Sequence, residues 1–192
     1  MRQAVRPVLH YPHPALRAPC LPLPDDLSGS LSLLAELKAS AAQHGGLGVA
    51  APQLGVSLRA FVMLCPVAWT EAGLQARQGR RAPPLPVQYV ACVNPRVEAA
   101  AGSSRVGLEG CLSLPDTPAL VRRATGVTVS YTDEAGCRVE RELSGLPAVV
   151  FQHELDHLDG VLLIDRQEQA GEEAFVAASR AFRREVAAFY PR

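Results

Sequence analysis

His153 and His157 stand four residues apart with Glu154 between them, in Gln152-His153-Glu154-Leu155-Asp156-His157. On an α-helix this spacing puts both rings on one face, with Cβ atoms about 5–6 Å apart, close enough to share one cation. The glutamate then projects beside the pair, where a carboxylate can move protons for a metal-activated water. Two imidazoles are an incomplete set, because a catalytic site takes a third protein ligand and keeps a position open. Cys111, in Glu109-Gly110-Cys111-Leu112-Ser113-Leu114-Pro115, is the candidate. A thiolate with two imidazoles suits zinc or another divalent transition metal. A third stretch, Gly46-Leu47-Gly48-Val49-Ala50-Ala51-Pro52-Gln53-Leu54-Gly55, superficially resembles a phosphate loop, yet no Gly-Lys-Ser/Thr follows it. Its small residues let backbone approach a ligand, and Gln53 offers an uncharged amide donor for a developing oxyanion. Buried core histidines, a structural thiol and a glycine turn would explain each stretch singly.

These groups need elements to hold them. The histidines belong on a helix capped by Ser144, with Pro147 in its first turn and Gly160 at its end. Leu146, Val149 and Val150 continue the histidine face, while Phe151, Leu155 and Leu158 cover another, so the helix is expected inside the fold. Residues 7–24 are proline-rich and read as an arm wrapping the body. A helix from Ser28 or Ser30 to about Gln43 carries Leu31, Leu34, Leu37 and Ala41 as its core stripe and ends at Gly45-Gly46. Residues 57–64 and 87–97 read as strands, the second cut by Asn94-Pro95. Residues 127–143 form the clearest hairpin, turning at Asp133-Glu134-Ala135-Gly136. A short strand is expected at 161–164. A last helix over 172–190 presents Phe175, Phe182, Val186 and Phe189 on one stripe for docking. Asp156 or Glu109 should pair with Arg123, since an unpaired buried carboxylate is costly.

The whole chain bounds the options. Its 192 residues suit one domain, with 66–86 as an inserted surface loop and 172–190 as the C-terminal helix. Nineteen basic residues balance nineteen acidic ones, so no global field favours nucleic acid or an anionic membrane. No run approaches the roughly 20 apolar residues of a membrane span. The first residues lack the apolar core of a secretory signal. Five cysteines without a Cys-x-x-Cys pair point to free thiols in a reducing compartment. The expected location is the cytoplasm.

Together the three stretches, in this order, resemble the peptide deformylase family. The likeness runs from Tyr11-Pro12-His13-Pro14-Ala15-Leu16-Arg17 to Gly160-Val161-Leu162-Leu163-Ile164-Asp165-Arg166, with 66–86 and the last helix the less typical parts. The resemblance implies an α+β fold, with antiparallel β-sheets packed around a central metal-binding helix. It implies hydrolysis of the formyl group from formyl-methionyl nascent peptides, with the ribosome a candidate partner. Cys111, His153 and His157 would be the metal ligands and Glu154 the general acid and base. Gln53 and the Leu112 N–H would form the oxyanion hole. Gly48 and Gly110 would present backbone to an extended peptide, and Leu47, Leu146, Val149, Val150 and the His153 ring would hold the methionine side chain. Ligand softness and geometry alone favour zinc, whereas the resemblance implies ferrous iron in the cell, with zinc, nickel or cobalt able to substitute. Two positions depart from the family pattern: Val49 replaces a usual leucine, and Asp116-Thr117-Pro118 replaces a segment that often carries glycine or arginine. A zinc peptidase would instead recruit Glu168, Glu172 or Glu173 as third ligand. A non-catalytic ribosome-bound module would need neither Glu154 nor Gln53.

Overall fold

Alternation of apolar residues makes the hairpin after residue 126, and the computed structural model, which describes residues 5–66 and 87–189, builds the rest of a sheet onto it. Five antiparallel strands lie in sequence order: β1 Gly48–Ala50, β2 Ala60–Pro66, β3 Val87–Cys111, β4 Leu114–Thr132 and β5 Arg138–Ser144. Val127, Val129 and Tyr131 of β4 are buried, and Val127 faces Leu143 of β5 in register. Among the described residues the strands form one continuous sheet rather than separate sheets. β3 runs for 25 residues, far beyond the expected stop at residue 97. Asn94, at φ 48°, does not end it; the β3–β4 register shifts there and at three further points. Such shifts locally bend and twist a strand, so one long ribbon can serve several packing layers.

Three helices complete the frame: α1 Leu31–His44, α2 Leu146–Leu158 and α3 Glu172–Phe189. Leu33, Leu34, Leu37, Ser40 and Ala41 are the buried positions of α1, whereas Leu31 is 49% exposed and leaves the expected stripe. Gly45 ends this helix in the left-handed region, where a side chain would be strained, and its N–H returns to the Ala41 carbonyl. α2 lies against β1, β2, β4 and β5, as its two apolar faces require. Its cap differs from expectation. Ser144 ends β5 and makes no capping bond; Gly145 holds the N-cap position, and Pro147 occupies the first turn. Residues 161–164 form no strand. A 3-10 turn, Leu163–Arg166, buries Leu163 and lets the Asp165 carboxylate accept from the Leu162 N–H.

The arm does wrap the body. Leu9 N–H donates to the Gln53 carbonyl, Tyr11 N–H to the Ser113 carbonyl and Cys20 N–H to the Leu158 carbonyl. It thereby ties all three chemistry-bearing stretches to one strip of backbone. The expected 66–86 loop falls, from 67 onward, outside the described residues. Among the described residues no helix is long and apolar enough to cross a membrane.

Candidate active site

The thiol and the two rings meet. Cys111 closes β3 at the tight return into β4, where it pairs with Leu114, and the histidines come from the buried side of α2. One ligand atom from each of Cys111, His153 and His157 lies within 4.8 Å of the others. Cys111 Sγ is 3.3 Å from His157 Nε2, and the two rings are 5.1 Å apart. Those separations fit ligands held at about 2.0–2.3 Å around one tetrahedral ion. The donor set therefore fits a divalent transition metal. Glu168, which pairs with Arg122, and Glu172 and Glu173, at the exposed start of α3, are not in this group.

Charged neighbours fix the rings. His153 Nδ1 is 2.8 Å from Glu109 Oε2, leaving its other nitrogen toward the thiol. Arg123 grips Glu109 through two bonds of 2.8 and 3.0 Å and donates a third to Asp156. The expected pairing thus engages both carboxylates at once. Arg166 extends the chain from Asp156 toward solvent, a link with no sequence signal of its own. Burial alone would raise the Glu109 carboxyl, but bonds from His153 and Arg123 outweigh it and hold its pKa down at about 2. Burial also pushes His157 well below the ordinary imidazole range, with His153 and Arg123 adding to the effect. A neutral ring keeps the lone pair that a metal needs.

Glu154 is 4% exposed, and burial pushes its carboxyl up to about 7. Its Oε2 has no hydrogen-bond partner among the described residues. The carboxylate lies directly over Gly48: a Cβ there would sit 2.5 Å from Glu154 Oε1. Glycine at 48 is thus a condition for the glutamate's position. Gln53 is fixed from both ends. Its Oε1 accepts from the Ala50 N–H at 2.8 Å, and its Nε2 donates to Ser113 Oγ at 3.0 Å while lying 3.7 Å from Cys111 Sγ.

A cleft of about 420 Å³ opens beside these groups. Leu47, Gly48, Gln53, Gly110, Cys111, Leu112, Leu146, Val149, Val150, His153 and Glu154 all line it, so the residues named from sequence come together, with His157 behind them. At Gly110 a Cβ would meet nothing within 4 Å, so backbone is open to the cleft. Two lining or supporting residues escaped the sequence reading. Ser113 carried a signal, its place two residues after the thiol; Phe182 of α3 carried only its position on an apolar helix stripe. Asp116, Thr117 and Pro118 border the cleft, and no lysine or arginine does among the described residues.

A buried acid beside three side chains that could hold one metal ion, against an antiparallel sheet, is the arrangement of a metallohydrolase site. A sequence model of the polypeptide deformylase family matches residues 5–173. Peptide deformylase from Thermus thermophilus is 38% identical over 178 residues, 92% of this chain and 90% of that protein. The crystal structure of peptide deformylase from Thermotoga maritima superposes with a TM-score of 0.71 at 32% identity, covering 87% of this chain and all of that one. A Met-Ala-Ser-bound structure of the class I type b enzyme from Acinetobacter baumannii gives 0.70 at 33% identity, covering 85% of this chain and 98% of that one. The chain belongs to the polypeptide deformylase family. It is accordingly a metal-dependent hydrolase that removes the N-terminal formyl group from nascent peptides.

Proposed function

We propose that Cys111, His153 and His157 hold the metal, Glu154 moves the proton, and Gln53 with the Leu112 N–H receives the developing oxyanion. The reading is carried by one observation: the three ligand atoms within 4.8 Å of one another, beside a buried carboxylate at the end of an apolar cleft. When bound, the ion supplies Lewis acidity toward water and the formyl oxygen. Glu154 takes a proton from the attacking water through a carboxylate oxygen. As the water oxygen bonds to the formyl carbon, charge builds on the formyl oxygen. Gln53 Nε2 turns toward that charge the N–H that rests beside Cys111 Sγ, while Ser113 holds the other. Cleavage of the C–N bond frees formate, and Glu154 returns the proton to the leaving amine. Gly48 and Gly110 offer backbone to the peptide as an added strand. Leu47, Leu146, Val149, Val150 and the His153 ring enclose the first side chain. The Acinetobacter relative was crystallised with Met-Ala-Ser, which supports a methionine there.

Ferrous iron is the proposed metal in the cell, with zinc, nickel or cobalt as substitutes; anaerobic purification followed by metal analysis tests it. One catalytic domain over 1–192, acting in the cytoplasm on formyl-methionyl chains near the ribosome, is the wider proposal.

Glu154→Gln and Cys111→Ala separate the roles. Glutamine keeps the shape but cannot accept a proton, so turnover of formyl-Met-Ala should fall by about 10²–10⁴-fold with metal content intact. Cys111→Ala should lose metal and activity together. A fully metallated Glu154→Gln protein working near the wild-type rate would refute the assigned base.

A further inference from the structure

Beside the active-site cleft lies a second, smaller cavity of about 50 Å³, between β3 and α3. Leu146, Val149, Glu109 and Phe182 line both spaces, so they form the wall between them. Three of the four are fixed by the sheet and α2; Phe182 alone comes from α3. Two features create the space behind it. Gly107 of β3 has no side chain, and a Cβ there would meet nothing within 4 Å. Behind the Phe182 ring the facing helix adds the small Ala178 and Ala181, together with Glu185. α3 is held across β3 by Arg105, whose guanidinium donates to both Glu185 oxygens at 2.6 and 2.7 Å. The family match ends at residue 173, so the residue completing this wall lies outside it.

We propose that Phe182 is a specificity-determining residue: its ring is the floor of the first-side-chain pocket and sets the length of side chain admitted. The inference rests on the proposed pocket of Leu146, Val149 and Val150. With the ring in place, the pocket stops short of the Gly107 cavity. Without it, the two spaces join alongside Leu146, Val149 and Glu109. One methylene in an apolar pocket is worth on the order of 10–200-fold in discrimination, so a floor that moves should be read plainly in substrate ratios.

The test compares kcat/KM for formyl-Met-Ala with that for formyl-2-aminooctanoyl-Ala, whose side chain is longer and unbranched, using the metallated full-length chain. Phe182→Ala should shift the ratio about tenfold or more toward the longer substrate. Adding Gly107→Val to that variant refills the joined space and should return the ratio toward wild type. Phe182→Trp should act oppositely, penalising formyl-Met against formyl-Ala. Val186→Ala trims the same helix where it packs on the core and should leave the ratio unchanged. An unchanged ratio in folded Phe182→Ala, or an equal shift in Val186→Ala, overturns the proposal. Val150→Phe controls the underlying pocket by selectively depressing formyl-Met turnover relative to formyl-Gly. If that control holds and Phe182→Ala does nothing, the floor alone is misassigned; if the control fails, the pocket itself is wrong and the floor falls with it.

Discussion

Ser113 shows how much of this site depends on one hydroxyl. It is fully buried and accepts from Gln53 Nε2, while the arm's Tyr11 N–H holds its carbonyl. An amide can rotate; Ser113 Oγ at 3.0 Å, with the Ala50 N–H on the amide oxygen, leaves Gln53 one orientation, its second N–H beside Cys111 Sγ at 3.7 Å. Removing the hydroxyl should therefore act through Gln53. A net hydrogen bond is worth about 1 kcal/mol, or roughly fivefold, so Ser113→Ala should lower kcat by about that factor with metal content unchanged. In a Gln53→Ala background the same substitution should cost almost nothing, because there is no amide left to orient. Equal losses in both backgrounds would show that Ser113 supports the fold and not the amide. At this scale the His153–His157 spacing already put both rings on one face, and the structure brings Cys111 beside them. Ser113 was not legible, because its partner lies 60 positions away in sequence.

Between elements, the buried ion pairs around Arg123 couple β4 to β3 and α2. Arg123 and Glu109 are each 5% exposed, so their charges depend on one another. Breaking such a pair from one side typically costs about 3–5 kcal/mol, since the remaining charge is left without compensation. Arg123→Ala should lower the denaturant midpoint accordingly. It should also weaken metal binding by about 10–100-fold, because Glu109 no longer holds His153 in a fixed orientation. Unaltered metal affinity in a destabilised variant would separate the two effects and leave only the structural one. The Arg123 pairing is legible in the sequence; the strand that carries it, β4, is so only from residue 127 onward. Residues 98–126 contain Gly102, Ser103, Ser104, Gly107, Pro115 and Pro118, which break any alternating pattern, and no element is expected there from sequence. They are strand because β3 and β4 pair with each other along nearly their whole length; partner pairing there overrides weak local preference. The hairpin at β4–β5 was legible because one face is buried and its period is two. The Leu31 and Ser144 expectations failed because Leu31 is the first, exposed residue of α1 and Gly145 takes the N-cap position of α2.

Across the whole molecule, the arm and the far end of the chain are joined by Arg17 and Asp165. The guanidinium bond holds the Asp165 carboxyl below its ordinary value, against a smaller opposing effect of burial. A carboxyl depressed in the folded state stabilises at pH above its unfolded value near 4. That contribution fades as pH falls through the lower folded value. Asp165→Asn should therefore lower the urea midpoint at pH 7 and differ little from wild type near pH 2. A gap between the two proteins that persists unchanged at low pH would assign the effect to packing. The same closure sets an order in time. Arg17 is synthesised 148 residues before Asp165, and at about 5–20 residues per second its partner arrives roughly 7–30 s later. Over that interval the arm can find Gln53 and then Ser113, each as it emerges, but neither histidine exists until α2 is made. The two rings can therefore meet the thiol only after α2, Leu146–Leu158, has been made, whatever the arm and strands have formed before it.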